Sequence, residues 1–232
     1  MAIATHIVIG IRKAFAQKMQ NDKRLAELAE LIAAGGGTYV QAQEYAELAA
    51  AALSQAILEY VTVETVPEIT LELAEAILKP TLKTGFESIE AISRAVQQNL
   101  NAAAGIGLKA VGVRQNIDRV QGLCTAVSGY EETADALWIF GEPIKTYMRT
   151  IPADVLKANV AFQGQAGLAP MIVRKNVGKC CDYCDRLAGS YQYPAVDSDV
   201  YRRHDRCRCT VDYMPGDGRV QNVHSKRWSD LR

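Results

Sequence analysis

Apolar residues in the first 170 positions recur three and four residues apart, as in amphipathic α-helices, and short polar breaks separate the runs. One run ends at the glycines 35–37. The next begins with Thr38 and Gln41, a capping-box pair typical of a helix start, and its apolar spacing continues to Tyr60. The pattern predicts a mainly α-helical, multi-helix domain over residues 1–170.

Three further helix starts follow from local signals. Thr84 with Glu87 and Ser128 with Glu131 repeat the capping-box pattern. Pro152 suits the first turn of a helix, where its missing N–H would have no partner in any case. We therefore expect a helix to begin at each of these places.

Beyond Pro170 the pattern changes to short alternating runs separated by turn residues. The sequence predicts a small α+β module over residues 171–232. Its predicted elements are short antiparallel strands at 171–175, 207–214 and 219–223 and a helical turn at 182–187.

Charge and composition change at the same point. Residues 1–170 carry 14 Lys and Arg against 18 Asp and Glu, whereas residues 171–232 carry 12 against 8. The acids of the first part are 14 Glu and 4 Asp, and those of the second part are 8 Asp with no Glu. Because Glu suits helices and Asp suits turns, this shift supports a domain boundary near residue 170. No apolar run is long enough for a transmembrane helix, so we expect no membrane contact.

Five of the six cysteines lie between positions 180 and 209. Cys181 and Cys184 form a C-x2-C knuckle, and after nineteen intervening residues His204, Cys207 and Cys209 follow as H-x2-C-x-C. Tetrahedral zinc takes four nitrogen or sulfur ligands, usually as two close pairs separated by a loop of about this length. The spacing predicts a structural Zn²⁺ ion. Such an ion contributes roughly 10 kcal/mol or more to folding, which a module with few large apolar residues needs.

The four ligands are not determined by spacing alone. Cys207 and Cys209 lie two apart on a predicted strand, so their side chains would share a face and both could reach one ion. His204 would then compete with one of them, or brace the loop as a hydrogen-bonded side chain. Cys180 is one position outside the knuckle, and we expect a buried thiol beside the site. Cys124 is expected in the core of a helix.

The sequence gives less support to other roles for the cysteines. A redox C-x2-C pair has no need of a distant H-x2-C-x-C, and a catalytic zinc would require a free coordination position. Disulfides require an oxidising compartment. The N-terminal apolar stretch 3–11 contains His6, and its charges Arg12 and Lys13 follow it, which is not the order of a secretory signal. Structural zinc is the favoured interpretation.

The residues around the cysteines resemble a known signature. The segments Cys-Asp-Tyr-Cys-Asp-Arg-Leu-Ala-Gly at 181–189 and Tyr-Arg-Arg-His-Asp-Arg-Cys-Arg-Cys-Thr-Val-Asp-Tyr at 201–213 are similar to the C-terminal motif of minor head proteins of tailed bacteriophages, the Mu F-like head-morphogenesis group. The resemblance covers about residues 171–228. It implies a structural virion component that is made in the host cytoplasm and binds portal or capsid protein during head assembly. Packaged DNA and a second copy of the chain are further candidate partners.

Four arginines cluster around the predicted metal site, and we expect them to contact the partner: Arg202, Arg203, Arg206 and Arg208. Acidic portal or capsid surfaces and DNA phosphates are both suitable partners. The alternative is a solvated loop whose charges are balanced by the neighbouring aspartates Asp197, Asp199, Asp205 and Asp212.

No Ser-His-Asp or paired-carboxylate arrangement stands out, so we expect no enzymatic activity. Two alternatives involve nucleic acid. One is an HNH-type nuclease that uses His204 or His224, although the cysteine-rich site and the missing His-Asn-His order disfavour it. The other is a zinc-containing nucleic-acid-binding protein.

Overall fold

The computed structural model describes residues 2–178, 180–204, 206–215, 219–222 and 227–230. Helices come first and strands follow, so the predicted fold class, mainly α with a small antiparallel sheet near the C-terminus, is confirmed. The α-helices are α1 (Ala2–Asn21), α2 (Lys23–Ala33), α3 (Tyr39–Tyr60), α4 (Leu71–Ala103), α5 (Ile117–Ser128), α6 (Thr133–Ala136), α7 (Glu142–Gln165) and α8 (Asp182–Arg186). The strands are β1 (Met171–Lys175), β2 (Gly189–Gln192), β3 (Thr210–Met214), β4 (Arg219–Asn222) and β5 (Arg227–Asp230), and short 3-10 helices cover Leu137–Phe140 and Ser198–Tyr201.

The helix start predicted at Thr38 is confirmed. Thr38 precedes α3, and its backbone N–H donates to Gln41 Oε1 at 2.7 Å. The helix then buries small side chains along much of its length, which lets neighbouring helices approach closely: Ala42, Ala46, Ala49, Ala50 and Ala56. Within the described residues, no helix combines the length and apolar character that crossing a bilayer requires.

The other three predicted helix starts are wrong. Thr84 lies inside α4, where its hydroxyl donates to the carbonyl of Pro80 at 3.1 Å. Ser128 is the last residue of α5, and Pro152 lies inside α7. A proline in a helix interior costs about 3 kcal/mol. Buried residues occur on both sides of each internal proline, so packing of the continuous apolar face outweighs that local cost.

β1 is the central strand of a three-stranded antiparallel sheet in the order β2-β1-β3. Ile172 of β1 lies opposite Tyr191 of β2 and Tyr213 of β3. The sequence predicted β1 correctly but missed β2, which has few of the β-branched residues that mark strands. β3 begins three residues later than predicted, at Thr210.

The predicted third strand is present as β4, but it does not join this sheet. It pairs with β5 in a separate antiparallel hairpin, with Val220 opposite Ser229. The predicted helical turn after the knuckle is confirmed as α8.

The three-stranded sheet packs directly on the helical body. The amide of Gln43 in α3 covers the free edge of β3: it donates to the Val211 carbonyl at 2.7 Å and accepts the Val211 N–H at 3.3 Å. Gly164 in α7 makes room for the ring of Tyr193, which would lie 2.2 Å from an added Cβ. Sheet and helices also share one apolar cluster, which includes Tyr39, Val96, Leu156, Val160, Ile172, Val200, Val211 and Tyr213.

A chain of buried polar side chains crosses the same interface. The Tyr39 hydroxyl donates to Gln97 Oε1 at 2.8 Å, and the Gln97 amide donates to Asn101 Oδ1 at 2.8 Å. The Gln163 amide donates to the same Asn101 oxygen at 2.8 Å. From the sheet, the Tyr213 hydroxyl donates to Gln163 Oε1 at 2.7 Å. The chain therefore links α3, α4 and α7 to β3 through groups that have lost water.

Replacing Tyr213 with Phe removes the last donor of this chain and leaves Gln163 Oε1 buried without a partner. We expect Tyr213→Phe to lower the free energy of unfolding by about 1–3 kcal/mol. Urea denaturation followed by circular dichroism measures this loss. The control is Tyr130→Phe, which removes a hydroxyl at a residue that is 37% exposed and should cost less than about 0.5 kcal/mol. Equal effects of the two substitutions would contradict a stabilising role for the chain.

Candidate metal centre

The cysteine-rich segments meet where the turn after β1, helix α8 and the loop before β3 converge. Cys181 is the N-cap residue of α8 and Cys184 lies within its single turn, so a tight helical turn forms the knuckle. The structure contains two overlapping groups of potential ligand atoms, and within each group all the atoms lie within 4.8 Å of one another. These groups are Cys181, Cys184 and His204, and Cys184, Cys207 and Cys209. Either cluster can hold a metal ion, and Cys184 belongs to both.

The distances between ligand atoms suit coordination of an ion. His204 Nε2 lies 3.3 Å from Cys181 Sγ and 3.2 Å from Cys184 Sγ. The sulfurs of Cys184 and Cys207 are 3.7 Å apart. Two thiolates on one tetrahedral zinc, each about 2.3 Å from the metal, lie about 3.8 Å apart. All six cysteines are free thiols.

Cys207 and Cys209 come together for a different reason from the one predicted. They precede β3 and lie in the loop, where the backbone N–H of Cys207 donates to the His204 carbonyl at 3.1 Å. The predicted shared strand face is therefore wrong, although both side chains are buried beside Cys184. Cys180 is half-buried, and its sulfur lies 3.4 Å from that of Cys209.

Cys124 has no part in this site. It is fully buried in α5, as the sequence predicts, and burial raises its pKa to about 11. The thiol is therefore protonated at neutral pH and behaves as a small apolar residue.

Arg174 is the site residue that sequence reasoning missed. Its side chain on β1 is 1% exposed, and its guanidinium lies 3.5 Å from Cys184 Sγ and 3.9 Å from Cys207 Sγ. It is Nη2 that lies beside the two sulfurs, while Nη1 donates to the carbonyls of Val200 and Arg202 at 2.6 and 2.9 Å. The signal was present in the strand itself, because Arg174 is two residues from the buried Ile172 and must share its inward face.

The surroundings affect the cysteine thiols unequally. Burial raises the pKa of Cys184 and raises that of Cys209 further, well above the ordinary range. Burial also acts on Cys207, but the backbone N–H of Cys209 and the charges of Arg203 and Arg174 outweigh it and lower the pKa. A metal ion would release the protons that the buried thiols otherwise retain, because only thiolates are good ligands.

Cys181 differs because it is exposed. The backbone N–H of Cys184 is the main cause that lowers the pKa of its thiol. The thiol of the first knuckle cysteine is thus accessible and loses its proton more easily than an ordinary cysteine, whereas the second cysteine is buried against Arg174.

The four arginines of the loop occupy different environments. Arg202 is exposed and pairs with Asp199 at 3.0 Å, while Arg206 and Arg208 are exposed beside the cysteines. Arg203 points inward: one Nη donates to the Cys209 carbonyl at 2.7 Å, and burial lowers its pKa. Among the other aspartates expected to balance these charges, Asp197 accepts the backbone N–H of Asp199, and Asp212 accepts that of Tyr213. Asp205 lies outside the described residues.

The cleft lined by these ligands is small, about 90 Å³. Pockets for organic ligands usually measure about 300 Å³ or more, so this cleft suits an ion better than a substrate. Of the described histidines, His6 is exposed on α1 and His204 faces the cysteines. His224, proposed above for a nuclease, lies outside the described residues.

Comparison with known proteins adds no relative. No family model matches the chain, and neither a curated protein nor a solved structure shows significant similarity to it.

Proposed function

We propose that the cysteine cluster binds one structural Zn²⁺ ion. The observation that carries this proposal is the buried guanidinium of Arg174 against the sulfurs of Cys184 and Cys207. Within the described part of the chain, no carboxylate pairs with Arg174 inside 4 Å. A buried positive charge is costly unless an anion balances it. Zinc-bound thiolates would supply that negative charge, whereas neutral thiols would not.

The proposed ligands are Cys181, Cys184 and two of His204, Cys207 and Cys209. Cys184 is common to both clusters, and Cys181 with His204 forms the accessible side of the site. Any choice from this set gives at least three thiolates, so the centre carries a net negative charge beside Arg174. Nitrogen and sulfur ligands in this number favour zinc over magnesium or calcium, which prefer oxygen.

The function that these features support best is structural: a minor head protein of a tailed phage that binds portal or capsid subunits during head assembly. The resemblance of residues 171–228 to the Mu F-like group supports this role. So does the packing of the module on the helices, because a zinc-braced loop would present Arg206 and Arg208 on a rigid support. The proposal includes no turnover chemistry, and the virion is the proposed location.

The purified protein should contain one zinc ion per chain by native mass spectrometry. Cys184→Ser should abolish stoichiometric zinc, because it removes the ligand common to both clusters. We expect the module to become sensitive to proteolysis while the far-UV helical signal is largely retained. Cys124→Ser is the matched control. Cys124 lies in α5 and belongs to neither cluster, so this substitution should leave the zinc content unchanged. Metal-free wild-type protein with fully reduced cysteines would contradict the proposal.

In a phage that encodes this chain, Cys184→Ser should leave portal and capsid synthesis normal but give particles of low infectivity. Replacing the exposed Arg202, Arg206 and Arg208 with Ala should retain zinc and fold yet reduce incorporation into particles. Quantitative mass spectrometry of purified particles measures incorporation, and Cys124→Ser again serves as the control. Normal incorporation and infectivity in both variants would refute the assembly role. Hydrolysis of DNA by the purified chain, lost in His204→Ala, would favour a nuclease.

A further inference from the structure

A second cleft, of about 520 Å³, lies between α7, the start of α5 and the segment that follows β2. Its lining is predominantly basic: Arg119 from α5, Lys157 from α7, and Arg202 and Arg203 from the loop before the metal ligands. Asp154 is the only carboxylate among the described residues that line it. Arg202 is paired with Asp199, so three cations without an ion pair among the described residues face one carboxylate in a concave site, which gives a positive potential.

The buried donors of Arg203 need a partner. Its Nε and one Nη are shielded from solvent and have no hydrogen-bond acceptor within the described residues, while the other Nη is occupied by the Cys209 carbonyl. Leaving buried charged donors unsatisfied is costly. Arg203 nevertheless lines the cleft, and no described carboxylate pairs with it inside 4 Å, so its charge contributes to an attraction for an oxyanion there.

The remaining cations are available. In the described part of the chain, neither Arg119 nor Lys157 forms an ion pair shorter than 4 Å. Arg119 donates to the hydroxyl of Thr150 at 3.2 Å, and Lys157 lies 5.8 Å from the centre of the Tyr201 ring. Neither contact neutralises the charge. Asn116, the N-cap of α5, also lines the cleft, so the positive end of that helix adds to the potential.

We propose that this cleft binds a phosphate group, either as free inorganic phosphate or as a backbone phosphate of single-stranded nucleic acid. Phosphate offers several acceptor oxygens and a negative charge that would balance the cations of the cleft. The inference goes beyond the structural role proposed above. Zinc binding does not require it, and Arg119 and Lys157, which test it, are not among the arginines of the assembly test, so its failure would leave that role untouched.

The test uses the full-length protein and two probes. Isothermal titration calorimetry measures binding of inorganic phosphate, and fluorescence anisotropy measures binding of a labelled dT oligonucleotide over a series of salt concentrations. Lys157→Gln and Arg119→Gln should each weaken phosphate binding about tenfold, because each removes a charged donor. Asp154→Asn should strengthen it, because it removes the opposing carboxylate. Lys83→Gln is the control: it deletes one charge from an exposed lysine of α4 that does not line the cleft.

The two probes distinguish the sources of the phosphate. If the oligonucleotide binds more tightly than phosphate, and Lys157→Gln reduces the slope of log K against log salt by about 0.7, the ligand is a nucleic-acid backbone. If the oligonucleotide binds no better than phosphate, the ligand is a free phosphate-type ion. Binding of neither probe would overturn the proposal. So would binding that Lys157→Gln and Arg119→Gln weaken no more than Lys83→Gln does, in variants whose zinc content and circular dichroism match the wild type.

Discussion

A buried positive charge is the constraint around which the C-terminal part of the chain is organised. Arg174 enters the interior from the central strand because strand alternation places it on the same face as Ile172. Two backbone carbonyls accept from one Nη and the sulfurs of Cys184 and Cys207 lie beside the other, while the buried Nε has no acceptor among the described residues. Carbonyl dipoles cannot cancel a full charge, whereas metal-bound thiolates can. The charge of Arg174 and the proposed zinc centre therefore explain each other.

The small sheet is supported from two directions. Its apolar residues and Tyr213 join the helical body through a shared cluster and a buried hydrogen-bond chain that ends at Tyr39. The cysteine cluster lies where β1 ends and β3 begins, and near it Arg174 and Arg203 donate to the carbonyls of Val200 and Cys209. A sheet of three short strands buries little surface by itself. Helical packing and metal binding would together fix the loop that carries Arg206 and Arg208.

Sequence patterns identified what depends on local chemistry. Residue spacing and capping signals predicted the helical body, the helical turn at α8 and the capping box at Thr38. The cysteines also converge, as their spacing predicts. Long-range packing determined the features that were missed. α4 continues past Thr84 because its buried face continues, and β2 is a strand because β1 lies beside it. The different environments of the loop arginines depend on tertiary contacts that no local pattern encodes, whereas the inward position of Arg174 could have been inferred from strand alternation.

X-ray absorption at the zinc K-edge tests the central claim most directly, because it reports which atoms bind the ion. The account predicts a four-coordinate shell with at least three sulfurs at about 2.3 Å, the fourth ligand being sulfur or a nitrogen at about 2.0–2.1 Å. Comparison with His204→Ala would identify the fourth ligand, since only a histidine-bound centre loses its nitrogen signal. A shell dominated by oxygen, or one with fewer than three sulfurs, would contradict the account.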